Sequence, residues 1–145
     1  MAIVRGCLIP DELYYHVEHN IWVIQDVNGN ATIGMTSYAC SLSGELVSIT
    51  PKKVGKTVKR DRSCATVESG KWVGPVKTPI AGEIVSVNDL VAADPGVINK
   101  DPYGDGWVAV IRPDDWESDS TQLLKGIDAL NAFEEKMAQD GFGGC

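Results

Sequence analysis

Gly44-Glu45-Leu46-Val47-Ser48-Ile49-Thr50 and Gly82-Glu83-Ile84-Val85-Ser86-Val87-Asn88 are two copies of one short strand pattern. Gly, Glu, Val and Ser match outright, and an aliphatic residue replaces an aliphatic residue at two further positions. A duplicated strand unit predicts a sheet folded on itself with pseudo-twofold symmetry. Between the copies, Cys64-Ala65-Thr66-Val67-Glu68 alternates small or apolar with polar residues and reads as a strand. It runs into a turn at Ser69-Gly70-Lys71-Trp72. Lys71 then occupies an exposed tip between the repeats, where another enzyme can reach its ε-amine. Such a placement is expected of a covalently modified carrier lysine.

Outward from this unit, residues 1–10 read as an N-terminal arm, and the domain core is expected over 11–139. Ile21–Val27 and Ala31–Met35 flank Asn28-Gly29, a hairpin signal, because this dipeptide supplies positive φ angles for a tight turn. Residues 36–43 leave room for a helical turn. Pro79 should sit at an edge or bend. Val108–Ile111 is a closing strand. Ser118–Gln139 is predicted as one amphipathic helix. Leu123, Leu124, Ile127, Leu130, Phe133 and Met137 recur at three- and four-residue steps, and Asp119 is a candidate cap with Gln122 three residues on. The tail Gly141-Phe142-Gly143-Gly144-Cys145 lacks core material. Residues 140–145 are therefore expected to be mobile, and Cys145→Ser or deletion of 141–145 to leave folding intact. The whole reads as one mainly β domain over 1–145, a barrel-like sandwich with a C-terminal helix.

The formal net charge is −7 and no basic stripe is present, which disfavours nucleic acid as a partner. Lys52, Lys53, Lys56, Lys59, Arg60 and Arg62 read as a solvated face. No apolar run is long enough for a membrane span, and the N-terminus does not have the form of a signal peptide, so a cytoplasmic location is expected. Cys7, Cys40, Cys64 and Cys145 have no CxxC spacing and only two histidines accompany them, so no metal site is predicted. In a reducing compartment no disulfide framework is expected either. Cys64 reads as a small buried hydrophobe, Cys40 is left open, and Cys145 is the one thiol with a case for reactivity.

Five further segments appear in a recognisable order: Glu18-His19-Asn20-Ile21-Trp22, Ala31-Thr32-Ile33-Gly34-Met35-Thr36, Glu68-Ser69-Gly70-Lys71, Pro79 to Val85, and Asn99 through Pro102-Tyr103-Gly104-Asp105-Gly106-Trp107. Over roughly residues 11–139 the chain resembles the glycine cleavage system H proteins, which are lipoyl carriers. The resemblance implies a hammerhead-type lipoyl domain (a barrel-sandwich hybrid) with flanking helices, and lipoate covalently attached to Lys71. It implies a carrier with no catalytic residues of its own. It also implies a lipoate ligase or lipoyl transferase as one partner. Two departures stand beside the arm. Tyr38 occupies the place where these proteins have a histidine, and Trp72-Val73-Gly74-Pro75 replaces a run of small and polar residues. In both respects the chain looks more like a divergent branch, the lipoate-binding proteins of the heterodisulfide-reductase-like sulfur-oxidation pathway.

The first reading is accordingly a carrier of sulfur-bound or redox intermediates docking on a heterodisulfide-reductase-like complex. The second is a carrier of aminomethyl groups among glycine cleavage proteins. The third, from another class, is an unmodified structural or regulatory paralogue. Biotin is disfavoured, because Gly70 and Trp72 flank the lysine where biotin domains typically place Met. Glu68, Ser69, Gly70 and Trp72 flank the attachment point. Glu68 is a candidate for recognition by the modifying enzyme, and Trp72 for cradling the arm. Tyr38 reads as either core or groove lining, and His16 and His19 are assigned no catalytic role.

Overall fold

The computed structural model describes residues 2–145. Its first half comprises β1 (Ile3–Val4), β2 (Cys7–Leu8), β3 (Tyr14–His16), β4 (Ile21–Gln25), β5 (Ala31–Met35) and α1 (Ser37–Ser43). There follow β6 (Leu46–Pro51), β7 (Thr57–Val58), β8 (Arg62–Ser69), β9 (Val73–Thr78) and β10 (Gly82–Val87). The chain closes with α2 (Asp89–Ala93), α3 (Val97–Lys100), β11 (Ala109–Pro113), α4 (Trp116–Asp119), β12 (Leu124–Lys125) and α5 (Gly126–Gln139). A seven-stranded sheet runs β12-β3-β4-β5-β11-β10-β7, and a three-stranded sheet runs β6-β8-β9. This is the mainly β fold with flanking helices that the sequence predicts.

The two repeat copies become β6 and β10, one in each sheet. Each is bulged at the same place: the register slips between Leu46 and Ser48 in β6, and between Ile84 and Ser86 in β10. An extra residue at equivalent points bends both strands alike, as a pseudo-twofold pair requires. Apolar residues from both sheets then meet in one core, which includes Ile33, Ile111 and Ile84 from one sheet and Leu46, Ile49 and Val67 from the other. The alternation read in Cys64–Glu68 holds from Ala65 on, with Ala65, Val67 and Ser69 buried and Thr66 and Glu68 exposed; Cys64 is buried as well, where the register with β9 slips. Pro75 lies on β9, an edge strand, where its missing N–H costs no ladder bond.

The equivalent glycines differ in what they face. A Cβ at Gly82 would stand 2.0 Å from the backbone oxygen of Arg112. Backbone cannot yield as a side-chain tip can, so Gly82→Ala should destabilise the fold by about 3 kcal/mol, the upper end of overpacking costs. Equilibrium urea unfolding reads this directly, and a loss below about 1 kcal/mol would show that β10 and β11 can separate cheaply.

Three of the quoted motifs converge in a second core. Trp22 on β4 lies across from Gly34 on β5, and a Cβ there would meet the indole at 2.6 Å. The Trp22 indole N–H donates to Pro102 O at 2.8 Å. The Tyr103 hydroxyl donates to Leu8 O at 2.7 Å and accepts from Ser37 N–H at 3.0 Å, which fixes the start of α1. Thr36 caps that helix through its side chain.

Several expectations need correction. The 26–30 loop is longer than an Asn-Gly two-residue turn. Asp26 Oδ1 accepts from Asn28 and Asn30, and only Gly29 has positive φ. The predicted single helix over 118–139 is broken into α4, a 3-10 turn at 120–122, β12 and α5. Asp119 caps no long helix; it is buried and accepts from Ala81 N–H at 2.8 Å. The buried face of α5 is Ala129, Phe133 and Met137, while Ile127 is exposed.

The tail is the largest correction. Residues 141–145 fold back over the N-terminal arm and a disulfide joins Cys7 to Cys145. Cys145 N–H donates to Arg5 O at 2.9 Å. Arg5 in turn donates to Phe142 O at 2.9 Å and pairs with Glu134 at 2.9 Å. The Phe142 ring sits edge-on to Tyr38, with centroids 4.7 Å apart. A cross-link spanning 138 residues leaves no trace in local spacing, which is why reading the tail by itself failed.

Candidate functional site

β8 and β9 form a hairpin whose tip is Gly70-Lys71. Ser69 N–H donates to Trp72 O at 2.8 Å and closes the turn. The Ser69 side chain is buried, and its Oγ accepts from Lys71 N–H at 3.3 Å. Ser69 therefore shapes the tip from within. Lys71 is exposed, as are Glu68, Gly70 and Trp72. Gly70 has ordinary backbone angles and open space where a Cβ would go. Gly70→Ala should consequently keep fold and modification, with stability within about 0.5 kcal/mol of the parent. Thermal melting and intact mass after ligase treatment would check both.

The lysine side chain leans toward α1. A Cβ built on Gly44, just past the end of α1, would meet Lys71 Cε at 3.1 Å. Asn99 anchors this glycine: its Nδ2 donates to Gly44 O at 2.9 Å and its Oδ1 accepts from Leu46 N–H at 2.9 Å. Asn99 belongs to the Asn-x-x-Pro-Tyr-Gly motif, so that motif supports the lysine's surroundings as well as Trp22.

A groove of about 310 Å³ opens beside the tip, lined by His19, Met35, Leu42, Ser43, Trp72 and Pro75 among others. The Trp72 indole is 39% exposed and folds over Gly74, where an added Cβ would collide with it at 2.1 Å. The Trp72-Val73-Gly74-Pro75 departure thus builds a wall of the groove. Tyr38 does not line it. Tyr38 is fully buried in the second core and donates to Asp140, and its phenol is pushed up to about 12, first by burial and then by that carboxylate.

His19 is the residue that sequence reasoning missed. It lines the groove, and its Nε2 lies 3.0 Å from Asp61 Oδ1. His16 stacks on it at 3.8 Å with planes 5° apart, and its Nδ1 accepts from His19 N–H at 3.2 Å. Burial, followed by the second imidazole, lowers the basicity of His16. His16, His19 and Asp61 come together as potential metal ligands. However, parallel rings do not aim their lone pairs at one ion, and the Nδ1 bond keeps the His16 proton on Nε2. The geometry is that of an imidazole–carboxylate hydrogen-bonded cluster. The Glu18-His19-Asn20-Ile21-Trp22 segment was its only sequence signal.

A hairpin-tip lysine between two half-repeats, rooted beside a groove, is the arrangement expected of a carrier domain. The sequence profile described as Glycine cleavage H-protein matches residues 13–136. The chain is 46% identical over 145 residues to glycine cleavage system H protein 5 of Aquifex aeolicus, covering 97% of each. It is 40% identical to a probable glycine cleavage system H protein 2 of Sulfolobus acidocaldarius, with 93% of this chain and 91% of that one aligned. The crystal structure of a glycine cleavage system H protein from Mycobacterium marinum superposes with a TM-score of 0.75 at 32% identity, covering 92% of this chain and 99% of that one. The chain belongs to the glycine cleavage H-protein family. Members of this family carry lipoate covalently on a lysine and are carriers, not catalysts. Among the described residues, no helix is long and apolar enough to cross a membrane.

Proposed function

We propose that Lys71 is the lipoyl attachment point and that the loaded arm serves the glycine cleavage proteins as a carrier of aminomethyl groups. The observation that carries the attachment is the placement of Lys71 alone at the tip of the β8–β9 hairpin, between the bulged repeat strands. The surroundings suit the group: the ε-amine is exposed for a ligase or lipoyl transferase, and a largely apolar groove begins at Trp72 and Ser43 on either side of the lysine's root. Once attached, lipoate supplies a dithiolane for thiol–disulfide exchange and group transfer. The protein's part is to hold the root rigidly, leave the chain mobile, and raise the effective concentration of its end at partner sites. Ser69 holds the turn, Trp72 walls the groove, and His19 offers it a polar edge held by Asp61. A cytoplasmic location accords with this role.

The aminomethyl cargo is favoured by the names of the two relatives above, both glycine cleavage H proteins. Sulfur or redox cargo is the second reading. It rests on Tyr38, withdrawn into the core, and on the Trp72 wall. Glycine–bicarbonate exchange with the glycine-decarboxylating partner separates the two. The first reading expects rates near those of an established H protein. Exchange at background by fully lipoylated protein would transfer the chain to the second.

A further inference from the structure

Behind α1, on the side away from the groove, lies a second cavity of about 400 Å³. Its lining includes Cys7, Cys145, Cys40 and Asn99. Three of the four cysteines therefore border one space. Cys7 is fully buried whereas Cys145 is an exposed residue, and both line the cavity. Cys40 is a free thiol that burial pushes up to about 12, which leaves it protonated and a poor attacking group at neutral pH. The cavity thus holds a disulfide and open volume beside it, but no internal thiolate to react with it.

The root of the arm is close by. Asn99, which borders this cavity, holds the Gly44 carbonyl, and Gly44 is the residue against which Lys71 Cε lies. Cys145 Sγ lies 4.0 Å from Ser37 O at the start of α1, and Gly44 follows its end, so the sulfur and the lysine's root are separated by about two helical turns, about 10 Å. The extended chain of a lipoylated lysine spans more than that. A tethered reactant this close acts at high effective concentration.

We propose that the Cys7–Cys145 disulfide and its cavity form an internal exchange site for the reduced dithiol carried on Lys71. This rests on lipoylation of Lys71. Cys145 Sγ, in the less buried residue of the pair, accepts one thiolate of the arm's dithiol. The Cys7–Cys145 bond breaks, and Cys7 leaves as a thiolate and takes up a proton through the cavity. The arm's second thiolate then displaces Cys145, which is protonated in turn. Two electrons pass from the dithiol to the protein disulfide. The arm ends as its cyclic disulfide, and the two protons it loses match those gained by Cys7 and Cys145. The freed tail lifts Phe142 from Tyr38 and uncovers this face of the domain.

The test uses the full chain, lipoylated and verified by intact mass, with excess NADH and dihydrolipoyl dehydrogenase. Thiols are trapped by iodoacetamide and mapped by peptide mass. The Cys7 and Cys145 peptides should become alkylated at least about tenfold faster than in Lys71→Arg under the same conditions. The rate should not change when the protein is diluted at constant dehydrogenase and NADH. Alkylation of both arm thiols with Cys7–Cys145 still cross-linked would overturn the proposal and leave the carrier reading standing. So would equal rates in Lys71→Arg. Absence of the lipoyl mass addition would remove both together.

Discussion

Lys71→Arg should fold and melt as the parent does, and should carry no lipoyl group. The expected loss of modification is complete. Arginine keeps the charge, but its guanidinium stays protonated and cannot form the amide. The fold should not notice, because Lys71 is exposed at a turn closed by Ser69 and Trp72. A surface substitution of this kind stays within about 0.5 kcal/mol, or roughly 2 °C in Tm for a chain of this size. Intact mass after ligase treatment and a melting curve decide the matter. A lipoyl adduct on the arginine variant would place the attachment elsewhere, and a fall in Tm approaching 10 °C would make Lys71 a structural residue.

Cys145→Ser should cost about 3 kcal/mol of stability, equivalent to a Tm lower by roughly 10 °C. The cross-link restricts nearly the whole unfolded chain, since 138 residues separate its ends. In the folded state it also keeps Phe142 on Tyr38 and the Cys145 amide on Arg5 O. Lipoylation should persist, because α1 and the hairpin tip keep their own hydrogen bonds. Calorimetry without reductant, compared with the parent before and after reduction, provides the check. A change below about 2 °C would mean that the tail is held without the bond.

The duplicated strand was enough to recognise two half-units and the lysine between them. Its repeat is local, and each copy is bulged at the same residue for the same local reason. The alternation from Ala65 to Glu68 was legible because a strand shows one face to the core with period two. Reading α5 fared worse. Apolar spacing alone did not reveal that the chain leaves the helix at 120–125 to add β12 to the edge of the large sheet at β3. Nor could spacing show that Ile127 faces outward.

By itself, then, the sequence determined the mainly β fold and the exposed tip, while the carrier reading and Lys71 as the expected attachment point came from the resemblance of its ordered motifs to the H proteins. The first two follow from short-range patterns, namely period-two burial, turn residues and an internal repeat. Only the tertiary structure decided the fate of the tail, the withdrawal of Tyr38, the place of His19 beside Asp61, and the Asn99 link between the lysine's root and the disulfide cavity. Each of these joins residues tens to more than a hundred positions apart. Such contacts exist only once both sheets have closed on their shared core, and no window along the chain contains both partners.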